Sequence, residues 1–193
     1  MTGDQWSDSE VLAGLPRQPE LMGVLYERHA RAVFRYLARR AGPGTAEDLL
    51  SEVFIAALDA RTRVVAHHSS SALPWLYGIA MNVLRRHFRS GPPGWTAAAE
   101  QGVDWDAVDA RLDAQAQRGR LRAALRALSE ADRELLLLVA WEGLTAAEAA
   151  AVLGIGKVAA RSRLHRARHR ALAALNADDQ PALMTTAHNK ETS

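Results

Sequence analysis

Residues 128–175 read LSEADRELLLLVAWEGLTAAEAAAVLGIGKVAARSRLHRARHRALAAL, and this stretch decides how the C-terminal half folds. Ser129 is a favoured N-cap residue, and Asp132 stands where a capping box returns the hydrogen bond. Thr145 and Glu148 repeat the pattern. A Gly-Ile-Gly segment then follows, and glycine there suits a left-handed C-cap and a tight turn. The stretch therefore predicts three helices, the last two joined by a short turn.

The third of these helices is strongly basic. Residues 157–170 contain six Lys or Arg, two His and no carboxylate. Helix, glycine turn and basic helix form the helix-turn-helix pattern, whose second helix enters the major groove of DNA. A solvated surface helix is the alternative, but such helices usually mix in carboxylates. One face is apolar at helical spacing, with Leu164, Ala167, Ala171, Leu172 and Leu175. The opposite face has groups that bind phosphates and base edges: Ser162, His165, Arg166 and His169.

Composition restricts the class of protein. The chain has 193 residues, 48% of them hydrophobic, and no cysteine. The lack of thiols excludes a disulfide framework and fits a reducing compartment. The longest apolar run, residues 135–141, is far shorter than the ~20 residues that span a bilayer. The N-terminus is polar and acidic, unlike a signal peptide. We therefore expect a soluble, cytoplasmic protein without membrane insertion.

Charge alternates along the chain. Residues 21–90 hold ten Arg against five carboxylates, and residues 120–175 hold nine Arg and one Lys against five. Residues 91–119, between them, hold two Arg against five carboxylates. Two basic blocks separated by an acidic one predict two nucleic-acid-binding domains on one chain.

The predicted fold is all-α, with two small helical domains joined by a flexible acidic linker. We expect the domains to fold separately and to sit loosely relative to one another. Pro-Gly breaks and composition give the expected boundaries. These are an N-terminal extension at 1–19, a first domain at 20–90, a linker at 91–107, a second domain at 108–176 and a disordered tail at 177–193.

The first domain should contain a helix over residues 20–41, a break at residues 42–44, and a second helix capped by Thr45 with Asp48. The buried face of this second helix would hold Leu49, Leu50, Val53, Phe54 and Ala57. Its other face places an isoleucine among carboxylates, which favours a docking surface for a basic protein, although a lone exposed Ile is common. That face consists of Asp48, Ser51, Glu52, Ile55 and Asp59.

Residues 72–90, ALPWLYGIAMNVLRRHFRS, predict a helix with a core stripe and a second, polar face. An aromatic ring, an amide and guanidinium groups on one face suit single-stranded nucleic acid. Alternatively, Trp75 packs in the core and the arginines only favour the helix C-terminus. The core stripe is Leu73, Leu76, Ile79, Ala80 and Val83, and the polar face is Trp75, Gly78, Asn82, Arg85, Arg86 and Arg89.

The segment 61–71 reads as a loop, because it has three serines, two histidines and no helical period. His67 and His68 are adjacent but have no further ligand nearby in sequence, so we predict no metal site. His165 and His169 have the i, i+4 spacing of a zinc protease. Arg166 stands where such a protease needs a general-base Glu, which argues against catalysis.

Three stretches together resemble the extracytoplasmic-function group of bacterial sigma factors, the dissociable initiation subunits of RNA polymerase. AEDLLSEVFIAAL resembles the polymerase-docking helix of region 2. PWLYGIAMNVLRRHFR resembles the segment that melts and reads the minus-ten element, and the helix-turn-helix stretch resembles region 4, which reads the minus-thirty-five element. The resemblance covers nearly all of residues 20–175.

The resemblance implies residue roles. The polymerase-docking residues would be Asp48, Ser51, Glu52 and Ile55, against the clamp helices. The single-stranded minus-ten contacts would be His67, His68, Ser69, Ser70, Trp75, Asn82, Arg85, Arg86 and Arg89. The major-groove contacts would be Lys157, Arg161, Ser162, His165, Arg166 and His169. Two positions depart from the family pattern: Ala159-Ala160 replaces the usual Thr-Val, and Ser51 replaces the common Gln.

The implied partners are core RNA polymerase and promoter DNA, and the family commonly adds an anti-sigma protein. No enzyme activity, cofactor, metal or small-molecule substrate is expected, because the active site would belong to the polymerase. A stand-alone helix-turn-helix regulator acting as a dimer is an alternative, but it leaves the docking helix and the Asn82 face without a role. A protein-interaction adaptor is a third class, and it would not need the basic recognition helix.

Overall fold

A computed structural model describes residues 6–63, 70–90 and 115–177 of the chain. These ranges are helical and contain no strand, so the predicted all-α class is confirmed. The predicted linker and tail lie almost wholly outside the described residues. In chain order the helices are α1 (Asp8–Gly14), α2 (Met22–Ala41), α3 (Pro43–Ala60), α4 (Leu73–Ser90), α5 (Gln115–Arg126), α6 (Glu130–Ala140), α7 (Ala146–Leu153) and α8 (Lys157–Ala177), with 3-10 turns at Pro19–Leu21 and Arg61–Arg63.

The turn between α2 and α3 differs from the expected capping by Thr45. Gly42 is both the C-cap of α2 and the N-cap of α3, with φ 80°, a value that favours glycine. Pro43 follows at the first helical position, where its missing N–H costs nothing. Thr45 therefore lies inside α3 and does not cap it.

The first four helices share a core. Leu49, Val53, Phe54 and Ala57 of α3 are buried as predicted, while Leu50 is only partly covered. The predicted N-terminal extension contributes α1, a helix that sequence analysis does not anticipate. Its core side chains are fully or almost fully buried, and they are Val11, Leu12 and Leu15.

The helix-turn-helix is confirmed in local detail. The Ser129 hydroxyl accepts a hydrogen bond from the Asp132 N–H, and Thr145 and Glu148 form both halves of a capping box. Gly154 adopts the left-handed conformation, with φ 67° and ψ 31°.

The apolar face of α8 is narrower than predicted. Leu164, Ala167 and Ala171 are buried, but Leu172 is 58% exposed. The buried positions repeat every three to four residues along one narrow stripe facing the helices packed on α8, and Leu172 falls beside that stripe.

The two halves of the chain are packed together, contrary to the loose placement expected from the sequence. Helix α4 contacts α7 as well as α2 and α3. One hydrophobic cluster joins Leu76 and Tyr77 of α4 with Leu135 of α6 and Ala149 of α7. Helix α4 has a second buried side that the sequence stripe omits, formed by Tyr77, Met81 and Leu84, and the Tyr77 hydroxyl on it reaches Glu142 of the other half.

Candidate nucleic-acid and polymerase interfaces

The recognition helix α8 presents its polar residues to solvent. Burial of Leu164 and Ala167 against the preceding helices turns the opposite side outward. All six predicted major-groove residues are exposed: Lys157, Arg161, Ser162, His165, Arg166 and His169. The surface combines guanidinium, imidazole and hydroxyl groups, which hydrogen-bond to phosphates and base edges.

The first turn of α8 also contains a residue that sequence analysis missed. Val158 is 77% exposed, between the turn and Arg161. An apolar side chain at this position of a recognition helix can contact a thymine methyl group. Two alanines depart from the family pattern. Ala160 is fully buried, whereas Ala159 is exposed, so only Ala159 lies on the solvent-facing side of α8.

Helix α4 presents a second polar surface. Asn82, Arg85, Arg86 and Arg89 are all exposed, as is Ser70 just before the helix. Trp75 is partly buried and packs against the hydrophobic core, which matches the alternative interpretation of that residue. His67, His68 and Ser69 lie outside the described residues.

The predicted docking face of α3 is exposed along its whole length. Asp48, Ser51 and Glu52 lie at the surface, and Ile55 is 63% exposed. The Ser51 hydroxyl donates to the Glu47 carbonyl oxygen at 3.4 Å, which ties this side chain back to its own helix.

The docking face and the α4 face adjoin one another. Arg86 Nη2 lies 2.6 Å from Glu52 Oε2, and both side chains are about half exposed. Because an exposed ion pair contributes little to stability, this pair mainly shows that a predicted docking residue and a predicted DNA-contact residue lie side by side.

Between the two halves lies a buried polar cluster that sequence analysis did not predict. Arg40 Nη2 donates to Glu134 Oε1 at 2.8 Å, and the Tyr36 hydroxyl donates to the same oxygen at 3.1 Å. The Tyr77 hydroxyl donates to Glu142 Oε2 at 3.2 Å. Arg39 also pairs with Glu142, whose side chain is only 4% exposed.

Burial dominates the electrostatics of this interdomain cluster. It raises the pKa of the Tyr36 phenol well above its ordinary value, and the adjacent Glu134 adds to that rise. Burial opposes the charge of Arg40, but the neighbouring carboxylates of Glu134 and Glu142 favour it, and the pKa of the guanidinium is raised. The Arg40 guanidinium carbon also lies 3.7 Å from the centre of the Tyr36 ring. The phenols are therefore neutral donors and the arginine is a fixed cation.

No group of three or more metal-ligating side chains occurs among the described residues. No helix in the described ranges is long and apolar enough to cross a membrane.

Both halves of the chain match known protein families. Residues 25–91 match Sigma-70 region 2, and residues 118–170 match Sigma-70, region 4. The ECF RNA polymerase sigma factor SigC of Mycobacterium tuberculosis is 36% identical over 151 residues, covering 76% of this chain and 79% of SigC. The ECF RNA polymerase sigma factor BldN of Streptomyces coelicolor is 31% identical over 167 residues, covering 84% of this chain but 62% of BldN.

Solved structures show the same likeness. CnrH, in complex with the cytosolic domain of CnrY, has a TM-score of 0.60 and 26% identity, covering 89% of this chain and 98% of CnrH. RpoE of Bartonella quintana, in complex with the anti-sigma factor NepR, has a TM-score of 0.50 and 26% identity, covering 85% of this chain and 99% of RpoE.

A helix-turn-helix packed on a second helical bundle, with exposed polar faces on both, is typical of a DNA-binding protein. The chain matches both sigma regions in order along the sequence, and it is related to SigC. These matches narrow the class to one family. The chain belongs to the extracytoplasmic-function family of RNA polymerase sigma factors.

Proposed function

We propose that this chain is a dissociable sigma factor, which binds core RNA polymerase and directs promoter-specific transcription initiation. The observation that carries the proposal is the joint exposure of three faces on one chain that matches both sigma regions. They are the acidic α3 face around Ile55, the α4 face around Asn82 and the α8 face around Arg166. The protein would act in the cytoplasm and would not itself be an enzyme, since the polymerase holds the active site.

In this proposal α3 docks on the polymerase clamp through Asp48, Ser51, Glu52 and Ile55. Exposed carboxylates around an exposed aliphatic side chain suit a basic surface with an apolar pocket. The contact would need no rearrangement of the α3 core face, because the four side chains lie outside it.

The two DNA faces would perform different tasks. Helix α8 would read duplex DNA of the minus-thirty-five element in the major groove. Helix α4 would read the minus-ten element as a single strand, because the edge of an unpaired base is accessible to an amide such as that of Asn82. Arg85, Arg86 and Arg89 would hold the adjacent phosphates. The domain boundaries proposed for these tasks are residues 20–90 and 108–176.

The packed arrangement must open for both elements to be bound at once. The element names place them about 25 base pairs apart, roughly 85 Å along the duplex at ~3.4 Å per base pair. A compact chain of 193 residues has a radius of gyration of only about 16 Å. Residues 91–114, between α4 and α5, number 24 and can span at most about 80 Å. Separation of the halves is therefore needed, and the linking residues together with the width of the two halves span the distance.

Promoter opening tests the proposal. Arg166→Ala should weaken closed-complex binding to the upstream element, where one good base contact is worth ~1–3 kcal/mol. Asn82→Ala should leave closed-complex binding unchanged and reduce strand opening, measured by permanganate reactivity of unpaired thymines. Arg17→Ala, an exposed arginine outside the three proposed faces, is the control for Arg166, and Gln18→Ala is the exposed-amide control.

A pre-melted bubble separates base reading from melting. The Asn82→Ala variant should still fail to discriminate bases in the bubble, since its defect lies in recognition. If Asn82→Ala opened and discriminated promoters like the parent, base reading by α4 would be abandoned. Duplex binding without any response to core polymerase would favour the stand-alone regulator.

An anti-sigma protein is a further proposed partner. The support is the likeness to CnrH and RpoE, whose structures contain CnrY and the anti-sigma factor NepR. Such a partner would compete with core polymerase for the exposed α3 face. Displacement of the labelled chain from core polymerase by a candidate anti-sigma protein would measure this, and simultaneous binding of both would contradict it.

A further inference from the structure

Helix α4 has no side-chain acceptor at its N-cap position, although the Ser71 hydroxyl just before it accepts a hydrogen bond from the Leu73 N–H at 3.2 Å. The residue at the N-cap position is Ala72, whose carbonyl accepts the first helical hydrogen bond from Leu76. Alanine is a poor N-cap residue, because it has no side-chain acceptor for the free N–H groups of the first turn. Ala72 is also completely buried, so water does not replace that acceptor.

The N–H of Ala72 itself finds its acceptor on α1. Asp8, in the first turn of α1, accepts a hydrogen bond from the Ala72 N–H at 2.8 Å. Arg28 Nη1 donates to the same carboxylate at 3.1 Å, and His29 Nε2 lies 2.6 Å from it. Asp8 is one of the few buried charged residues of the described chain, at 8% exposure. A negative charge at a helix N-terminus is also favourable to the helix dipole.

The apolar side chains of α1 hold that helix against the domain without Asp8. Val11 and Leu15 are completely buried in the shared core. The carboxylate adds something that core packing cannot, namely a directed bond to one backbone N–H of α4. Burial of a charge is in itself weak support for a role in stability.

We propose that Asp8 is a positioning residue for reading the minus-ten element, because it fixes the N-terminus of α4. The inference rests on the proposed function. Ser70 is exposed just before the helix, and Asn82 is exposed farther along it. A small misplacement of α4 would move both relative to the melted strand, and misplacement of about 1 Å can cost two orders of magnitude in a positioned reaction. Helix α1 is then part of the base-reading domain.

Two substitutions separate the bond to Ala72 from the charge. Asp8→Ala removes the acceptor and the charge. Asp8→Asn removes the charge but keeps a carbonyl oxygen for the Ala72 N–H, while the partly exposed Arg28 can turn its guanidinium away. Glu10→Ala is the matched control, since it breaks the capping box of the same helix and leaves Asp8 in place.

Strand opening with core polymerase is the functional readout. Asp8→Ala should slow opening about five- to tenfold, the effect of one lost hydrogen bond. Binding to core polymerase and to an isolated upstream duplex should stay at the parent level. Asp8→Asn and Glu10→Ala should open promoters like the parent. Equal defects in Asp8→Asn and Asp8→Ala would assign the effect to charge, and parallel loss of all three activities would assign it to the whole fold; either result overturns the proposal.

Amide hydrogen exchange at Ala72 provides a readout that does not depend on transcription. The Ala72 amide should exchange slowly in the parent and in Asp8→Asn, and about five- to tenfold faster in Asp8→Ala. Unchanged exchange in Asp8→Ala would overturn the bond itself. If the parent opened no promoter while this exchange pattern held, the proposed function would fail and the Asp8–Ala72 bond would stand.

Discussion

Two buried polar clusters join parts of the chain that are distant in sequence. Asp8 joins α1 to the start of α4, and Arg40 joins α2 to α6 through Glu134. Each cluster has several donors for its carboxylates, which is what a buried charge requires. Neither is visible as a sequence pattern, because the partners are 64 and 94 residues apart. The capping box of Thr145 and Glu148, by contrast, was predicted, since its partners are three residues apart.

The Asp8 cluster makes stability depend on acid pH. Burial would raise the pKa of Asp8, but the Ala72 N–H, His29 and Arg28 outweigh it and lower the pKa below its ordinary value of 3.8. A lowered pKa contributes stability that is present above the unfolded value and is lost as the pH falls through the folded one.

We therefore expect the parent to exceed Asp8→Asn in free energy of unfolding by a constant amount above about pH 5, and by less as the pH falls below about 4. Urea denaturation at pH 7, 5 and 3.5 would measure this difference. The exposed-carboxylate substitution Glu47→Gln is the control. A difference that grew toward acid pH would contradict the hydrogen-bonded, ionised state of Asp8.

At the scale of elements, hydrophobic periodicity predicted where the helices lie, but not all of their boundaries and contacts. The buried positions of α3 and the exposed residues of α8 follow their sequence patterns. The start of α3 did not, because Gly42 with its positive φ took the capping position from Thr45. The burial of Tyr77 on α4 could not be predicted either, since this side chain reaches Glu142 in the other half, 65 residues away.

The docking helix gives an element-scale prediction. Asp48→Lys should weaken binding to core polymerase while leaving the fold and the binding of upstream duplex intact, because Asp48 is exposed and off the core face. Loss of one rim charge should act mainly on the association rate and on its salt dependence. Surface-immobilised core polymerase would measure both.

Asp48 is a better test position than Glu52. Reversal of Glu52 would also repel Arg86, which lies 2.6 Å away on the α4 face, and so would disturb both interfaces. Glu47→Lys is a matched control, because Glu47 is an exposed carboxylate of the same helix outside the predicted docking face. Equal affinity of Asp48→Lys and the parent for core polymerase at low salt would reject the docking face.

At the scale of the whole molecule, the interdomain cluster should hold the two halves together reversibly, and we call it the clasp. A buried ion pair is costly to desolvate. When the halves separate, the charged groups are hydrated again, and this hydration offsets much of the free energy lost with the ion pair. The clasp can therefore specify one closed arrangement without making it permanent. Glu142, with both Arg39 and Tyr77 as partners, is its most buried carboxylate.

A covalent link across the clasp should block initiation. Because the chain has no cysteine, the pair Arg39→Cys and Glu142→Cys can be joined by a bifunctional thiol reagent of about 10 Å. The linked protein should bind an isolated upstream duplex but form no open complex on a promoter that carries both elements. The same double variant treated with a monofunctional reagent is the control. Initiation by the linked protein at the control rate would show that the halves need not separate.

The shared core of α4, α6 and α7 also sets a trade-off between thermal stability and promoter occupancy. If only a fraction of molecules is open, the apparent dissociation constant for a two-element promoter rises by the inverse of that fraction. Each ~1.4 kcal/mol of added preference for the closed arrangement would then cost about tenfold in promoter occupancy at limiting concentration. A substitution that improves packing between Tyr77 and its neighbours in the other half would raise the melting temperature and silence weak promoters first. Selection for thermal stability alone would thus produce a poorer initiator.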